Sequence, residues 1–277
     1  MLKFVFLVAI LAVCAAFPKS EFRTTFIHPT NRQSKPLSDG LTIINGQTAR
    51  PHQFPYQVGM YVKTPLYTDF CGGSLISKHY VLTAAHCVDK ALSVKLVFGA
   101  QNVSDPSEKS QVRVASESFV VHPGWDEGNL VNDIALIRLS TPISETNAIK
   151  IVPLAKGSNT FANQNGAVAG WGLTKTSQKG VTPVLNYINT AIMSNDDCRK
   201  FNNDYYTIVK DTHLCISAGA AKSSTCQGDS GGPLAVNGIQ VGVVSFGAPD
   251  CESGKPSVFT RVTEFQDWIA QNSDVKF

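Results

Sequence analysis

Ser230 lies in the run Cys226-Gln227-Gly228-Asp229-Ser230-Gly231-Gly232-Pro233, where glycines leave backbone N–H groups bare beside a single hydroxyl. A serine hydroxyl is a poor nucleophile near neutral pH. It needs an adjacent base that is itself oriented by a third group. Thr83-Ala84-Ala85-His86-Cys87 supplies an imidazole beside a cysteine able to pin its loop, and Asn132-Asp133-Ile134-Ala135-Leu136 supplies a carboxylate entering an apolar strand. The chemistry these residues can do together is acyl transfer. Ser230 attacks a carbonyl carbon, His86 takes the proton and returns one to the leaving group, and Asp133 holds the imidazole tautomer. A tetrahedral intermediate places negative charge on oxygen, and the N–H groups of Gly228 and Ser230 can point to where it forms.

These groups are far apart along the chain, so a fold must bring them together. From Ile43 onward the apolar residues come in short runs separated by Gly, Pro, Asn and Asp, as in an all-β protein. Tyr56 to Tyr61, Leu92 to Phe98, Ile134 to Leu139 and Ile239 to Phe246 are examples. There is no heptad, no helical repeat and no low-complexity tract. About 235 residues in short strands fit one sandwich or two barrels, and composition does not choose between them.

The chain has 277 residues and a formal net charge of +3. Lys3 precedes an apolar run from Phe4 to Val13, and the small residues Ala15 and Ala16 precede Pro18. This reads as a secretory signal over residues 1–16, cut after Ala16, because crossing a bilayer takes about 20 apolar residues. No later stretch is apolar enough to span, so a soluble, secreted, extracellular protein is expected. Residues 17–42 are polar, hold Pro29, Pro36, Ser38, Asp39 and Gly40, and read as a propeptide. Residues 1–42 carry five basic side chains (Lys3, Lys19, Arg23, Arg32, Lys35) and two acidic ones (Glu21, Asp39). Of the 24 basic and 21 acidic residues, 19 of each sign therefore remain after them. That neutrality gives no argument for nucleic acid or an anionic membrane as partner.

Seven cysteines become six once Cys14 leaves with the signal. An even count in a secreted chain suggests three disulfides, and six cysteines allow 15 pairings that spacing alone does not resolve. A zinc site is disfavoured because no Cys-x-x-Cys pair exists. Asn102-Val103-Ser104 is a glycosylation acceptor pattern at Asn102. Asp105 and Glu108 nearby are too few and too local to argue a calcium site. No metal and no cofactor are expected.

The three motifs stand in the order His, Asp, Ser, which is the order of chymotrypsin. With Ile43-Ile44-Asn45-Gly46, Cys71-Gly72-Gly73-Ser74-Leu75, Gly170-Trp171-Gly172 and Val243-Val244-Ser245-Phe246-Gly247, they make the chain from Ile43 onward resemble a chymotrypsin-family serine protease zymogen. The ending Cys251-Glu252-Ser253-Gly254-Lys255-Pro256 is similar to the arthropod branch that includes digestive chymotrypsins and serine collagenases.

The resemblance implies two six-stranded antiparallel β-barrels with the active site in the cleft between them, followed by a C-terminal α-helix. The protease domain would span 43–277, with an N-terminal barrel at about 43–155, a C-terminal barrel at about 156–262 and the helix at about 263–273. In that helix Thr263 and Gln266 read as a capping box, and Phe265, Trp268 and Ile269 form a face to pack on a barrel. The resemblance also pairs Cys71 with Cys87, Cys198 with Cys215 and Cys226 with Cys251. The first closes a short loop and is worth about 3 kcal/mol in the loop-entropy model.

Further roles carried over are the oxyanion donors Gly228 and Ser230, and a switch in which Asp229 pairs with the ammonium made by cleavage before Ile43. Thr42 precedes that bond where the family usually has a basic residue, so an activator of trypsin-like specificity should not cut there. Substrate-binding positions are Ser224, Ser245, Phe246, Gly247 and Ser257. Ser224 occupies the place of the trypsin aspartate, so a neutral floor disfavours Lys and Arg. Gly247 leaves the pocket mouth open, and Ser257 replaces a glycine of mammalian chymotrypsins. Cleavage after Phe, Tyr, Leu or Met is the expectation.

The expected function is a monomeric secreted endopeptidase acting on protein or peptide substrates, open to protein protease inhibitors and serving in digestion. A non-catalytic protease homologue that binds partners is the alternative from another class. An α/β-hydrolase esterase is disfavoured by the triad order.

Overall fold

A computed structural model describes residues 43–277. The expected signal peptide at 1–16, the propeptide at 17–42, Cys14 and Thr42 lie outside the described residues.

Thirteen strands build two barrels. β2 (Gln57–Lys63), β3 (Thr68–Leu75), β4 (Tyr80–Thr83), β5 (Ser93–Phe98), β6 (Val112–Val121) and β7 (Ala135–Leu139) close in the order β2-β3-β4-β7-β6-β5. All their pairings are antiparallel. The second set is β8 (Asn165–Gly170), β9 (Asn186–Met193), β10 (His213–Ile216), β11 (Pro233–Val236), β12 (Ile239–Phe246) and β13 (Ser257–Arg261). A pairing of β8 with β9 closes it into a second six-stranded antiparallel barrel.

Alternation drives closure where one strand face is wet. β9 buries Asn186, Ile188, Thr190 and Ile192 while its intervening residues face outward, the period of two expected of a barrel wall. β12 departs from it, burying every residue after Ile239, because its far end is sandwiched between the two barrels. Val58, Met60, Leu82, Leu96 and Leu136 fill the first barrel; Val168, Ile188, Leu214, Leu234 and Phe259 fill the second.

Two sequence readings are corrected. The segment 43–155, assigned to the first barrel, starts on the second: β1 (Gln47–Thr48) pairs with β9, and Ile43 lies in the second barrel's core. The capping box does not form. The chain end begins as a 3-10 turn over Val262–Phe265 and continues as α4 (Gln266–Asn272). The Thr263 hydroxyl is buried without a hydrogen-bond partner among the described residues, and the Gln266 amide donates to the carbonyl oxygens of Thr263 (2.6 Å) and Gly157 (2.9 Å). The apolar face was legible: Val262, Phe265 and Ile269 are buried against the first barrel, with Trp268 at the edge of that core. The last element thus straps the second barrel to the first.

Among the described residues no helix is long and apolar enough to cross a membrane.

Candidate active site

His86 sits on α1 (Ala85–Val88), a single turn that leaves β4 into the cleft. The disulfide Cys71–Cys87 ties this turn to β3. Cys198–Cys215 and Cys226–Cys251 are also formed, so all three implied pairings are present. Asp133 lies just before β7 and is fully buried. Its Oδ2 lies 2.7 Å from His86 Nδ1, and its Oδ1 accepts the His86 backbone N–H at 2.9 Å. That bidentate grip fixes both the ring and the main chain carrying it. It also directs the Nδ1 proton to the carboxylate; Nε2 lies 3.7 Å from Cys87 Sγ, and the side chain is 22% exposed.

The second barrel supports both the carboxylate and the main chain of Asp133. Ser245 donates its hydroxyl to Asp133 Oδ2 at 2.6 Å, and Thr260 on β13 donates to the Asp133 carbonyl oxygen at 2.7 Å. Burial alone would push the Asp133 carboxyl up, but the adjacent imidazole and the bonds from His86 and Ser245 hold it below its usual range. For His86, burial pulls down and the Asp133 charge and hydrogen bond raise, with a net rise.

Ser230 stands in a tight turn between β3 of one barrel and β12 of the other. Its carbonyl oxygen accepts the Gly72 N–H at 2.7 Å, and the Gly231 N–H donates to Val244 at 2.8 Å. Gly231 has φ +79°, and a Cβ there would strike the Thr83 hydroxyl and the Gly72 carbonyl. Gly228 has φ +96°, and its Cβ would lie 2.8 Å from Val181 Cγ1 and 3.0 Å from Gly172 Cα. Glycine is therefore needed at both positions on conformational and steric grounds. Among the described residues no acceptor takes the N–H of Gly228 or Ser230.

A cavity of about 120 Å³ is bordered by His86, Gly228, Ser230, Ser245, Phe246 and Gly247. Asp133 lies behind its wall. Ser224 and Ser257 are buried and do not border it, their polar atoms being used internally. Ser224 donates to the Cys251 carbonyl at 2.5 Å, and Ser257 Oγ accepts the Thr225 N–H at 3.3 Å. Ser257 Oγ would be 3.9 Å from a Cβ on Gly247, so the two residues are neighbours.

Asp229, next to the nucleophile, is buried beside Gly170 and Gly172, where any Cβ would collide with its carboxylate. Its oxygens accept the N–H groups of Gly172 (2.9 Å) and Cys226 (3.0 Å). Burial outweighs these bonds and pushes its carboxyl up to about 7.

Some working roles carried no sequence signal. Ser245, expected among the substrate-binding positions, borders the cavity and also donates its hydroxyl to Asp133. Tyr205, on α3 (Asn203–Ile208), donates its hydroxyl to the Pro256 carbonyl at 2.6 Å and so braces the strand start that carries Ser257. Asn102 is partly buried, and its N–H donates to Glu108. Glu108 spends its oxygens on Gln101, Asn102, Ser110 and Gln111. Cys71, His86 and Cys87 hold donor atoms within 4.8 Å of one another, but the two sulfurs are joined in a disulfide and offer no thiolate.

Residues 43–269 match the family model described as Trypsin. The chain belongs to the trypsin family. It is 39% identical over 255 residues to a chymotrypsin of Phaedon cochleariae, covering 91% of this chain and 89% of that one. It is 42% identical over 237 residues to a brachyurin of Leptuca pugilator, covering 84% and 99%. A solved structure of HL collagenase superposes with a TM-score of 0.76 at 36% identity, covering 85% of this chain and all of the other. The trypsin-family chain is thus a chymotrypsin-like serine endopeptidase, a hydrolase whose substrates are proteins.

Proposed function

We propose that this protease is a secreted digestive endopeptidase of chymotrypsin-like specificity, made as a zymogen and working through Ser230, His86 and Asp133. The observation that carries this reading is the 2.7 Å pair of His86 and Asp133 on the same cavity as Ser230. His86 Nε2 takes the Ser230 proton as Oγ attacks the scissile carbonyl, and the imidazolium is stabilised by the buried Asp133 anion. The uncommitted N–H groups of Gly228 and Ser230 receive the oxyanion. His86 then returns its proton to the leaving amine, and water repeats the sequence on the acyl-enzyme.

The uncharged floor over Ser224 cannot pair a buried cation, which favours Phe, Tyr, Leu or Met over Lys and Arg at the residue cleaved. Ser257 shortens the pocket beside Gly247. Cleavage at Thr42–Ile43 would create an ammonium on Ile43, a residue already packed in the second barrel's core. Asp229, raised to about 7 by burial, is the carboxylate in need of such a cation. The enzyme acts as a monomer and is open to protein protease inhibitors that fill the same cleft.

An organophosphorus reagent should label Ser230 in the cleaved chain and far more slowly in the uncut one. The cleaved chain should hydrolyse chromogenic peptides ending in Phe or Leu and leave those ending in Arg. Absence of labelling after cleavage would return the chain to the non-catalytic alternative, and dominant cleavage after Arg would overturn the pocket reading. A first residue other than Ile43 in active material would overturn the switch.

A further inference from the structure

Two walls of the cleft come from different barrels and meet on one buried side chain. Leu130, three residues before Asp133, borders a cavity of about 70 Å³ beside His86, and Phe246 at the end of β12 borders the larger cavity that holds Ser230. His213, the first residue of β10, lies behind both with no exposure. Its Nε2 is 2.9 Å from the Leu130 carbonyl oxygen, and its Nδ1 accepts the Lys210 N–H at 3.0 Å. The two bonds assign the tautomer, with the proton on Nε2 donated across the seam between barrels. The ring stands edge-on to Phe246, centroids 5.6 Å apart and planes at 90°.

Leu130 has reason to need holding. Its φ is +56° and that of Asn132 is +57°, a left-handed conformation that non-glycine residues keep only when their surroundings impose it. The carbonyl that His213 binds belongs to the first of these two residues.

We infer that His213 is a positioning residue for substrate, holding the Leu130 and Phe246 walls at a fixed separation by one hydrogen bond and one ring contact. The inference rests on the reading of this cleft as the substrate site. It touches no reacting atom, so its effect falls on the binding of extended peptides rather than on bond cleavage. The ring must stay neutral to serve. A proton on Nδ1 would face the Lys210 N–H, donor against donor.

The charged groups around it are Asp133, Lys210 and Arg261. Burial lowers the His213 proton affinity, the Leu130 bond and Asp133 raise it, and the two cations lower it, for a net fall. His213 is therefore protonated at more acid pH than an ordinary histidine.

The test uses the cleaved full chain and two substrates: a tetrapeptide anilide that runs along both walls, and a single-residue aromatic ester that reaches only the specificity pocket. His213→Phe keeps the edge contact and loses both ring hydrogen bonds, of which the one to Leu130 holds a wall; KM for the tetrapeptide should rise about fivefold, the size of that one bond, with kcat and the ester unchanged. His213→Gln places an amide N–H where Nε2 stood and should bring KM back to within about twofold of the parent. The parent's tetrapeptide KM should also climb at pH below the ordinary histidine range of about 6.5, and His213→Gln should abolish that climb.

An unchanged KM in His213→Phe, or a loss falling equally on kcat for both substrates, overturns the inference. Should His213→Phe not fold, an acid rise in KM that persists in His213→Gln overturns it as well. A parent that hydrolyses neither substrate overturns the protease reading and this inference with it.

Discussion

Asp133 and Asp229 are the same residue type, 0% and 1% exposed, one beside His86 and the other beside Ser230, and the fold shifts their proton affinities in opposite directions. Asp133 is held low because burial is outweighed by a cation-forming imidazole and by donors from both barrels. Asp229 is pushed up to about 7 because burial meets only two backbone N–H groups. The difference shows that burial raises both carboxyls and that the partners decide whether the rise survives. It also assigns the two groups different kinds of work. In the proposed mechanism the first stays anionic near neutral pH and orients the base, while the second has no cationic partner among the described residues.

The largest way to break the comparison is to remove the charge that is already satisfied. Asp133→Asn keeps the shape but offers His86 Nδ1 an amide, which favours the wrong tautomer and leaves Nε2 protonated. Turnover should fall about 10⁴-fold, a magnitude taken from the chymotrypsin template itself rather than from this geometry. Steady-state kinetics on a Phe anilide checks it. A fall of less than about tenfold would mean that Asp133 does not orient the base.

Asp229→Asn should act in two directions depending on cleavage. For the sign, a carboxyl raised from 3.8 to about 7 by folding is most stabilising when protonated. Its contribution is complete below about pH 4 and is lost as pH rises through 7. In the uncut chain the substitution should therefore stabilise at neutral pH by up to about 4 kcal/mol and do nothing at pH 4. Denaturant unfolding of the precursor at the two pH values tests this. After cleavage the same change removes the partner of the Ile43 ammonium, and activity should drop by an amount equivalent to about 3–5 kcal/mol. Equal stability of the two precursors at every pH would mean that Asp229 carries no electrostatic burden before activation.

How much of this was legible in the sequence follows from how local each feature is. His86, Asp133, Ser230 and the glycines around the nucleophile each sit in a motif of a few residues, where composition and spacing speak directly. The supports do not. Ser245 reaches Asp133 across 112 positions of sequence and Thr260 across 127, and the motif that holds Ser245 gives no sign of that bond. Tyr205 and His213 are silent for the same reason. β1 has two residues, too few for any period, so its pairing with the second barrel could not be read. Thr263 misled because a hydroxyl followed by glutamine three residues on signals a cap only if the hydroxyl is free to turn toward the helix end. Here it is buried under the 3-10 turn.

The smallest test sharpens the contrast by removing one donor from the satisfied carboxylate. Ser245→Ala leaves the Asp133 anion with His86 alone at Oδ2, and hydrogen bonds to charged groups contribute about 1.5–3 kcal/mol. The pH dependence should be the mirror of Asp229→Asn. Asp133 is depressed in the folded state, so the stabilisation of its anion is present above the unfolded value near 3.9 and is lost as pH falls through the folded one. Ser245→Ala should thus be less stable than the parent at neutral pH, with the deficit shrinking in acid, where Asp229→Asn shows no difference at all. Thermal unfolding of both variants across pH 3 to 8 reads the two profiles. A Ser245→Ala deficit that is flat with pH would mean the hydroxyl is only packing, and the two carboxylates would then differ in their imidazole alone.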